Sequence, residues 1–193
     1  MEIDKAGTRV PSETIELERV RLRKLEQDDA DAIFTLYSDP EVARYLARPA
    51  LTALSQAEEL IGKVHAGYAD GSSMQLGIER KQDGALMGHC LLFHFNEQSR
   101  RAEIGYSLGR AYWSRGYMNE ALMALVGLAF GPFNLNRLEA DIDPHNAASA
   151  RSLERLGFAK EGVLRERWIV NGEPSDTAFY GLLRSEWTRR RET

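Results

Sequence analysis

Two short segments, thirty residues apart, carry residue types that could hold an anion and then assist a proton transfer. The first, Trp113-Ser114-Arg115-Gly116-Tyr117-Met118-Asn119-Glu120, joins a strand-like run to a strongly apolar helical run through a basic, glycine-bearing turn. A helix start exposes backbone N–H groups with no intrahelical partner and carries roughly half a positive charge, which suits a pyrophosphate. Gly116 lets the backbone approach closely, and Arg115 adds a fixed cation. The second segment, Asn146-Ala147-Ala148-Ser149 through Leu156-Gly157-Phe158, sets an amide and a hydroxyl three residues apart at another helix start. Read blandly, Arg115 is a surface cation, Asn146 a helix cap and Ser149 a first-turn residue.

The elements that must position these groups follow from hydrophobic periodicity. Residues 1–13 are polar and turn-rich and read as a flexible tail before a single domain over 14–193. Ile15 to Leu25 reads as a first strand with one irregularity. Helices are expected from Asp28 to Tyr37, from Glu41 to Leu46, and from Gln56 to Ala69 with Ser55 as cap. Met74–Lys81 and Ala85–Phe95 form a hairpin across Gln82-Asp83-Gly84. Ala102, Ile104, Tyr106 and Leu108 alternate with Glu103, Gly105 and Ser107 in a fourth strand. Ala121, Leu122, Leu125, Val126 and Ala129 then mark the helix that Gly131-Pro132 stops. A strand over 136–143, the Asn146 helix, and two strands near 159–170 and 174–184 complete the order. This predicts an α/β fold with a mixed, mostly antiparallel sheet of about seven strands flanked by helices, around a central βαβ unit.

Composition narrows the function classes. The chain has 193 residues, 43% of them hydrophobic, and a net charge of −4, so no basic surface argues for nucleic acid or an anionic membrane. Apolar runs are far short of a membrane span, and the opening residues lack the blocks of a signal peptide, so a cytoplasmic location is expected. The single cysteine, Cys90, excludes an internal disulfide and sits in an apolar strand as a buried thiol. His65, His89, His94 and His145 share no ligand spacing with Cys90 or one another, so no metal is expected.

With these segments on the page, the chain resembles the GCN5-related N-acetyltransferase (GNAT) superfamily. Glu103-Ile104-Gly105-Tyr106, Arg115-Gly116-Tyr117, Asn119-Glu120-Ala121-Leu122, Asn146-x-x-Ser149, Leu156-Gly157-Phe158 and Glu161-Gly162 look like the RimJ/RimL branch, which acetylates ribosomal-protein N-termini. The similarity runs over residues 15 to 185. It implies a GNAT fold and acetyl-CoA as co-substrate. The amides of Arg115, Gly116, Tyr117, Met118 and Asn119 would hold the pyrophosphate. Ser107 and Leu108 would align the pantetheine like an extra strand, and Asn146 would meet the arm from the other side. The acceptor would be a primary amine, such as a protein N-terminus, and dimers are common among similar proteins, so a homodimer is a further implied partner.

An acetyl transfer of this kind needs a base for the amine and a donor for the leaving thiolate. Glu103 is one candidate base, because the face it shares with Gly105 and Ser107 leads toward the implied cofactor. Asp141 is another, because some relatives carry a carboxylate there. Both are also readable as solvated strand charges. Ser149 is the nearest hydroxyl by motif and would orient or polarise the sulfur. Three positions depart from the superfamily pattern: Trp113 stands where relatives carry a glutamine, Met118 where they carry a small residue, and Leu153 where many carry a tyrosine. They motivate a second reading, a CoA-binding sensor or scaffold with weak or no catalysis. A third, a small-amine or antibiotic acetyltransferase, shares the chemistry and differs in acceptor. Trp168, Asp176 and Tyr180 border the acceptor pocket on one reading and simply pack on another.

Overall fold

The computed structural model describes residues 10–192 except 47 and 171. The first nine residues of the expected tail lie outside that range, and Val10 is buried in the main core. The chain runs β1 (Ile15–Glu16), β2 (Val20–Lys24), α1 (Ala30–Ser38), α2 (Pro40–Ala43) and α3 (Leu54–Asp70). The meander β3 (Ser73–Arg80), β4 (Leu86–Asn96) and β5 (Arg101–Leu108) follows. Then come α4 (Tyr117–Phe130), β6 (Arg137–Ile142), α5 (Ala147–Leu156), β7 (Ala159–Val170), β8 (Glu173–Leu183) and α6 (Arg184–Glu192).

One sheet of eight strands results, in the order β1-β2-β3-β4-β5-β6-β8-β7. The expected seven become eight because the first strand folds on itself. Leu17 N–H donates to the Val20 carbonyl at 3.0 Å, turning the irregularity into a tight hairpin in which Ile15 faces Leu22. Two other expectations shift. The third helix begins at Leu54 with Ala53, not Ser55, as its N-cap, and the Gln56 side chain reaches back to accept from the Thr52 and Ala53 N–H just before it, at 2.8 and 3.1 Å. Helix α6 was not anticipated, because Trp187 is its one apolar residue; that ring is 6% exposed and stacks 6.4 Å from Phe130.

Apolar burial fixes the layers. Helix α4 lays Ala121, Leu122, Leu125, Val126 and Ala129, all fully buried, against the sheet face formed by residues such as Met74, Leu76 and Leu92. A second cluster on α1 and α3, with Ile33, Leu36, Ala57 and Ile61, is separate from the first. Each fully buried aliphatic side chain contributes roughly 1.5–3 kcal/mol, so these layers hold the sheet rigid around its one parallel joint.

That joint matters most for function. Every neighbouring strand pair is antiparallel except β5 and β6. These two pair at Arg101–Arg137, Ala102–Leu138 and Glu103–Glu139, and then separate. Beyond Glu103, β5 stays with β4 as far as Leu108–Gly88, while β6 stays with β8 as far as Ile142–Ala178. The facing edges of Ile104–Leu108 and Ala140–Ile142 are therefore open. Backbone N–H and C=O groups there are free to pair with an extended ligand.

Candidate functional site

Helix α4 starts beside this opening. Gly116 is its N-cap at φ +83°, a left-handed conformation that costs glycine little and most other residues about 1 kcal/mol or more. Ser114 is also left-handed, at φ +58°. Together they turn the chain so that the first amides of a 14-residue helix face outward without intrahelical partners. The loop is latched from the sheet. Arg19 donates to the Arg115 carbonyl at 2.9 Å and to Glu120 through its own backbone N–H at 2.7 Å and its Nε at 2.9 Å.

Helix α5 faces it. Asn146 caps this helix, its Oδ1 accepting from Ser149 N–H at 3.0 Å. The Ser149 hydroxyl meets the Tyr106 hydroxyl at 2.7 Å. Burial pushes the Tyr106 phenol up to about 12, against a smaller opposing effect of the Ser149 hydrogen bond, so it stays protonated at neutral pH. Trp113 fixes the end of β5 by donating its indole N–H to the Leu108 carbonyl at 2.6 Å.

Three cavities run into one another along these elements. The first, of about 270 Å³, lies between the α4 start and α5 and is lined by Gly116, Tyr117, Met118, Asn119, Arg151 and Arg155. The second, also about 270 Å³, shares Leu108, Met118 and Ser152 with it and follows Tyr106, Ser107 and Leu108 toward Asn146 and Ser149. The third, about 300 Å³, shares Tyr106, Asn146 and Ser149 with the second and ends among Asp141, Asp143 and Asp176. One end is thus cationic with exposed helix amides, and the other is rich in carboxylates.

The structure therefore brings together Ser107, Leu108, Gly116, Tyr117, Met118, Asn119, Asp141, Asn146 and Ser149 on one channel. Two expected residues are placed otherwise. The Arg115 side chain does not line the channel; its carbonyl holds Arg19, and Arg151 and Arg155 present the cations instead. Glu103 does not line it either, and its carboxylate sits 3.1 Å from His94 Nδ1. The reason is geometric: the channel opens at the edge of β5, not over one face, so Ile104, Gly105, Tyr106, Ser107 and Leu108 reach it regardless of alternation, while Glu103 is still paired to β6.

Asp141 is held by two donors, Arg167 Nε at 3.3 Å and Trp168 Nε1 at 3.2 Å. Trp168 and Asp176 from the β7–β8 hairpin wall the third cavity, whereas Tyr180 is 3% exposed in the core. His145 lies outside the cavity lining and bonds Asp143. The Cys90 thiol is fully buried and pushed up to about 12 by desolvation, which makes it inert. Among the described residues, no group of three His, Cys, Asp or Glu side chains could hold a metal, and no helix is long and apolar enough to cross a membrane.

Sequence reasoning missed Tyr106, His89, Arg151 and Arg155. The two arginines did carry a signal, since spacing of four on the Ser149 helix puts them on one face. Tyr106 and His89 read as ordinary members of apolar strands, and nothing local distinguished them.

A family profile described as "Acetyltransferase (GNAT) domain" matches residues 19–159. The "Uncharacterized N-acetyltransferase p20" of Bacillus licheniformis is 37% identical over 175 residues, spanning 91% of this chain and 98% of the relative. The "[Ribosomal protein uS5]-alanine N-acetyltransferase" of Escherichia coli is 28% identical over 129 residues, 66% of each chain. Among solved structures, the microcin C7 self immunity acetyltransferase MccE in complex with acetyl-CoA and AMP shares the fold, with a TM-score of 0.78 and 22% identity over 86% of this chain and 93% of its own.

Proposed function

Because the chain belongs to the GNAT acetyltransferase family, we propose that it transfers an acetyl group from acetyl-CoA to a primary amine by direct attack in a ternary complex. The observation that carries this reading is the continuous channel from the α4 start, along the open edge of β5, to the carboxylate-lined cavity. Its parts fit the parts of acetyl-CoA. Helix amides from Gly116 to Asn119, with Arg151 and Arg155, suit phosphates. The unpaired β5 edge suits the amides of a pantetheine arm, which would add to the sheet as a short strand. Met118 lies between the first two cavities, and its N–H remains one of the helix's free donors.

Acetyl-CoA supplies the thioester; the chain supplies positioning and proton handling. Asp141 takes the proton of the incoming ammonium, directly or through water, so that the nitrogen lone pair attacks the acetyl carbon. As the N–C bond forms, the C–S bond breaks and the electron pair leaves on sulfur. Ser149 donates toward that sulfur and recovers its proton through the Tyr106 hydroxyl, to which water in the channel returns one in turn, so that no buried phenolate is left. Serine is a weak acid alone, so the pair is assigned what Leu153, fully buried in the core, cannot do. Glu103 is assigned no proton transfer and orders the strand through His94.

A protein N-terminus is the first acceptor to test, since a relative acts on a ribosomal-protein alanine. A single buried thiol also suits the reducing cytoplasm. The test is CoA-thiol release with acetyl-CoA across N-terminal peptides, polyamines and aminoglycosides. Release with one class supports the reading and names the acceptor. Binding of acetyl-CoA without release from any amine would replace the enzyme by a CoA-binding sensor.

A further inference from the structure

The carboxylate assigned to take the ammonium proton is held from the β7–β8 hairpin in a way that a regular hairpin does not allow. Leu164 of β7 stands opposite Thr177 of β8, and Trp168 opposite Ser175. Arg165, Glu166 and Arg167 therefore share one partner, Asp176, and form a bulge. Glu166 is held there at φ +49°, a left-handed conformation that is uncommon outside glycine. Its N–H donates to Asp176 Oδ1 at 2.8 Å, so a side chain of β8 fixes the distorted stretch of β7.

The bulge changes where the next side chains point. Consecutive residues of a regular strand face opposite sides of the sheet, so Arg167 and Trp168 would part. Both instead donate to one atom, Asp141 Oδ2, from Arg167 Nε at 3.3 Å and Trp168 Nε1 at 3.2 Å, with the guanidinium 5.7 Å from the indole ring. The other oxygen, Asp141 Oδ1, accepts no hydrogen bond among the described residues and is not sealed from solvent. Asp141 lines the third cavity of the channel and neither of the other two, so this oxygen opens on the carboxylate-lined end.

We infer that the bulge makes Arg167 and Trp168 positioning residues for the acetyl transfer: they clamp Oδ2 so that Oδ1 faces the incoming amine and takes its proton, directly or through water. In this role neither side chain touches a reacting atom. Asp176 acts at one remove, by holding the bulge through the Glu166 N–H. A half-exposed ion pair such as Arg167–Asp141 changes an equilibrium by about fivefold at most, whereas a catalytic group misplaced by about 1 Å can cost about 10²-fold. Orientation is the larger effect, so loss of either donor slows the reaction. This rests on the transferase reading above, with Asp141 as its base.

The test uses the full chain and has two arms. With three tryptophans, the indole 15N–1H spectrum of the free protein holds three signals. The Trp168 signal, assigned by its loss in Trp168→Phe, is expected to move in Asp141→Ala by more than the other two. The second arm is initial-rate kinetics with acetyl-CoA and the best acceptor among the N-terminal peptides, polyamines and aminoglycosides. Trp168→Phe, which keeps a ring and loses the N–H, and Arg167→Ala each lower kcat by about tenfold with the KM for acetyl-CoA unchanged. Arg167→Lys recovers most of its loss. Glu166→Val, which resists a left-handed backbone, loses more than Glu166→Gly, which adopts one freely. A Trp168 signal that ignores Asp141→Ala, kcat unchanged in both donor variants, or a fall in kcat matched by a rise in the KM for acetyl-CoA overturns the clamp and leaves the transferase reading standing. If Asp141→Ala fails to fold, the kinetics of Trp168→Phe decide. Absence of thiol release from every amine strikes the transferase reading, and the indole spectra then decide the clamp by themselves.

Discussion

The Tyr106 hydroxyl lies 2.7 Å from the Ser149 Oγ and bridges the open edge of β5 to the first turn of α5, where the second and third cavities meet. The Tyr106 hydroxyl is also placed to donate to the Ser149 carbonyl at 3.3 Å, so both of its contacts are to one residue of α5. A positioned proton donor typically contributes 10²–10⁴-fold. Ser149→Ala is expected to lower kcat by about 10²-fold and Tyr106→Phe by about tenfold, with acetyl-CoA affinity near wild type. The double variant should be no slower than Ser149→Ala alone, because the two hydroxyls act in series. Thiol release under saturating substrates measures all three. Full turnover by Ser149→Ala would remove the relay.

Arg151 and Arg155 sit one helical turn apart on the cavity that meets the α4 start. Replacing both with alanine should weaken acetyl-CoA binding by about tenfold and flatten its salt dependence, since exposed phosphate contacts are screened by ions. Titration calorimetry at low and high salt reads both effects. Unchanged affinity would move the phosphates elsewhere.

The Arg19–Glu120 pair ties the cofactor loop to the β1–β2 hairpin. Arg19→Ala removes the donor to the Arg115 carbonyl and the guanidinium 5.0 Å from the Tyr117 ring. The expected outcome is a several-fold rise in the KM for acetyl-CoA with kcat preserved, because the residue orders the loop and touches no reacting atom. Initial-rate kinetics against acetyl-CoA check it.

His89 also sets a pH dependence. Its folded value of about 4 lies below its ordinary 6.5, because burial disfavours the charged ring. The unfolded chain therefore binds the proton more tightly. The contribution is complete above about pH 6.5 and is lost as pH falls through about 4, amounting to about 3 kcal/mol. Urea unfolding near pH 7 and near pH 4 should show a smaller acid loss in His89→Gln than in the wild type. Equal losses would contradict a buried neutral imidazole.

How much of this was legible in the chain itself depended on how local each signal was. The α4 start and the Asn146 cap are written in consecutive residues, because a cap is satisfied within one turn, and both stand where the spacing put them. The strand alternation around Ile104 was equally readable. Its functional meaning was not, because which residues reach the channel depends on where β6 leaves β5, a property of strand pairing that no local pattern encodes. Glu103 and Tyr106 exchanged importance for that reason. The partnership of Tyr37 with His89 spans 52 residues and exists only once α1 packs on β4. Helix α6 escaped notice because a single tryptophan, docked on Phe130, anchors it.

The central claim is that the channel along β5 is an acetyl-CoA site closed at one end by the Gly116 turn. Calorimetric titration of acetyl-CoA into the full chain, beside Gly116→Glu, tests it most directly. A Cβ at Gly116 would meet Arg19 at 3.2 Å, in a backbone conformation that side chains rarely adopt, and the added carboxylate would repel phosphate. The account predicts one-to-one binding by the wild type and none by Gly116→Glu, with both proteins folded. Absence of binding by the wild type at millimolar acetyl-CoA, or equal binding by the variant, would contradict it.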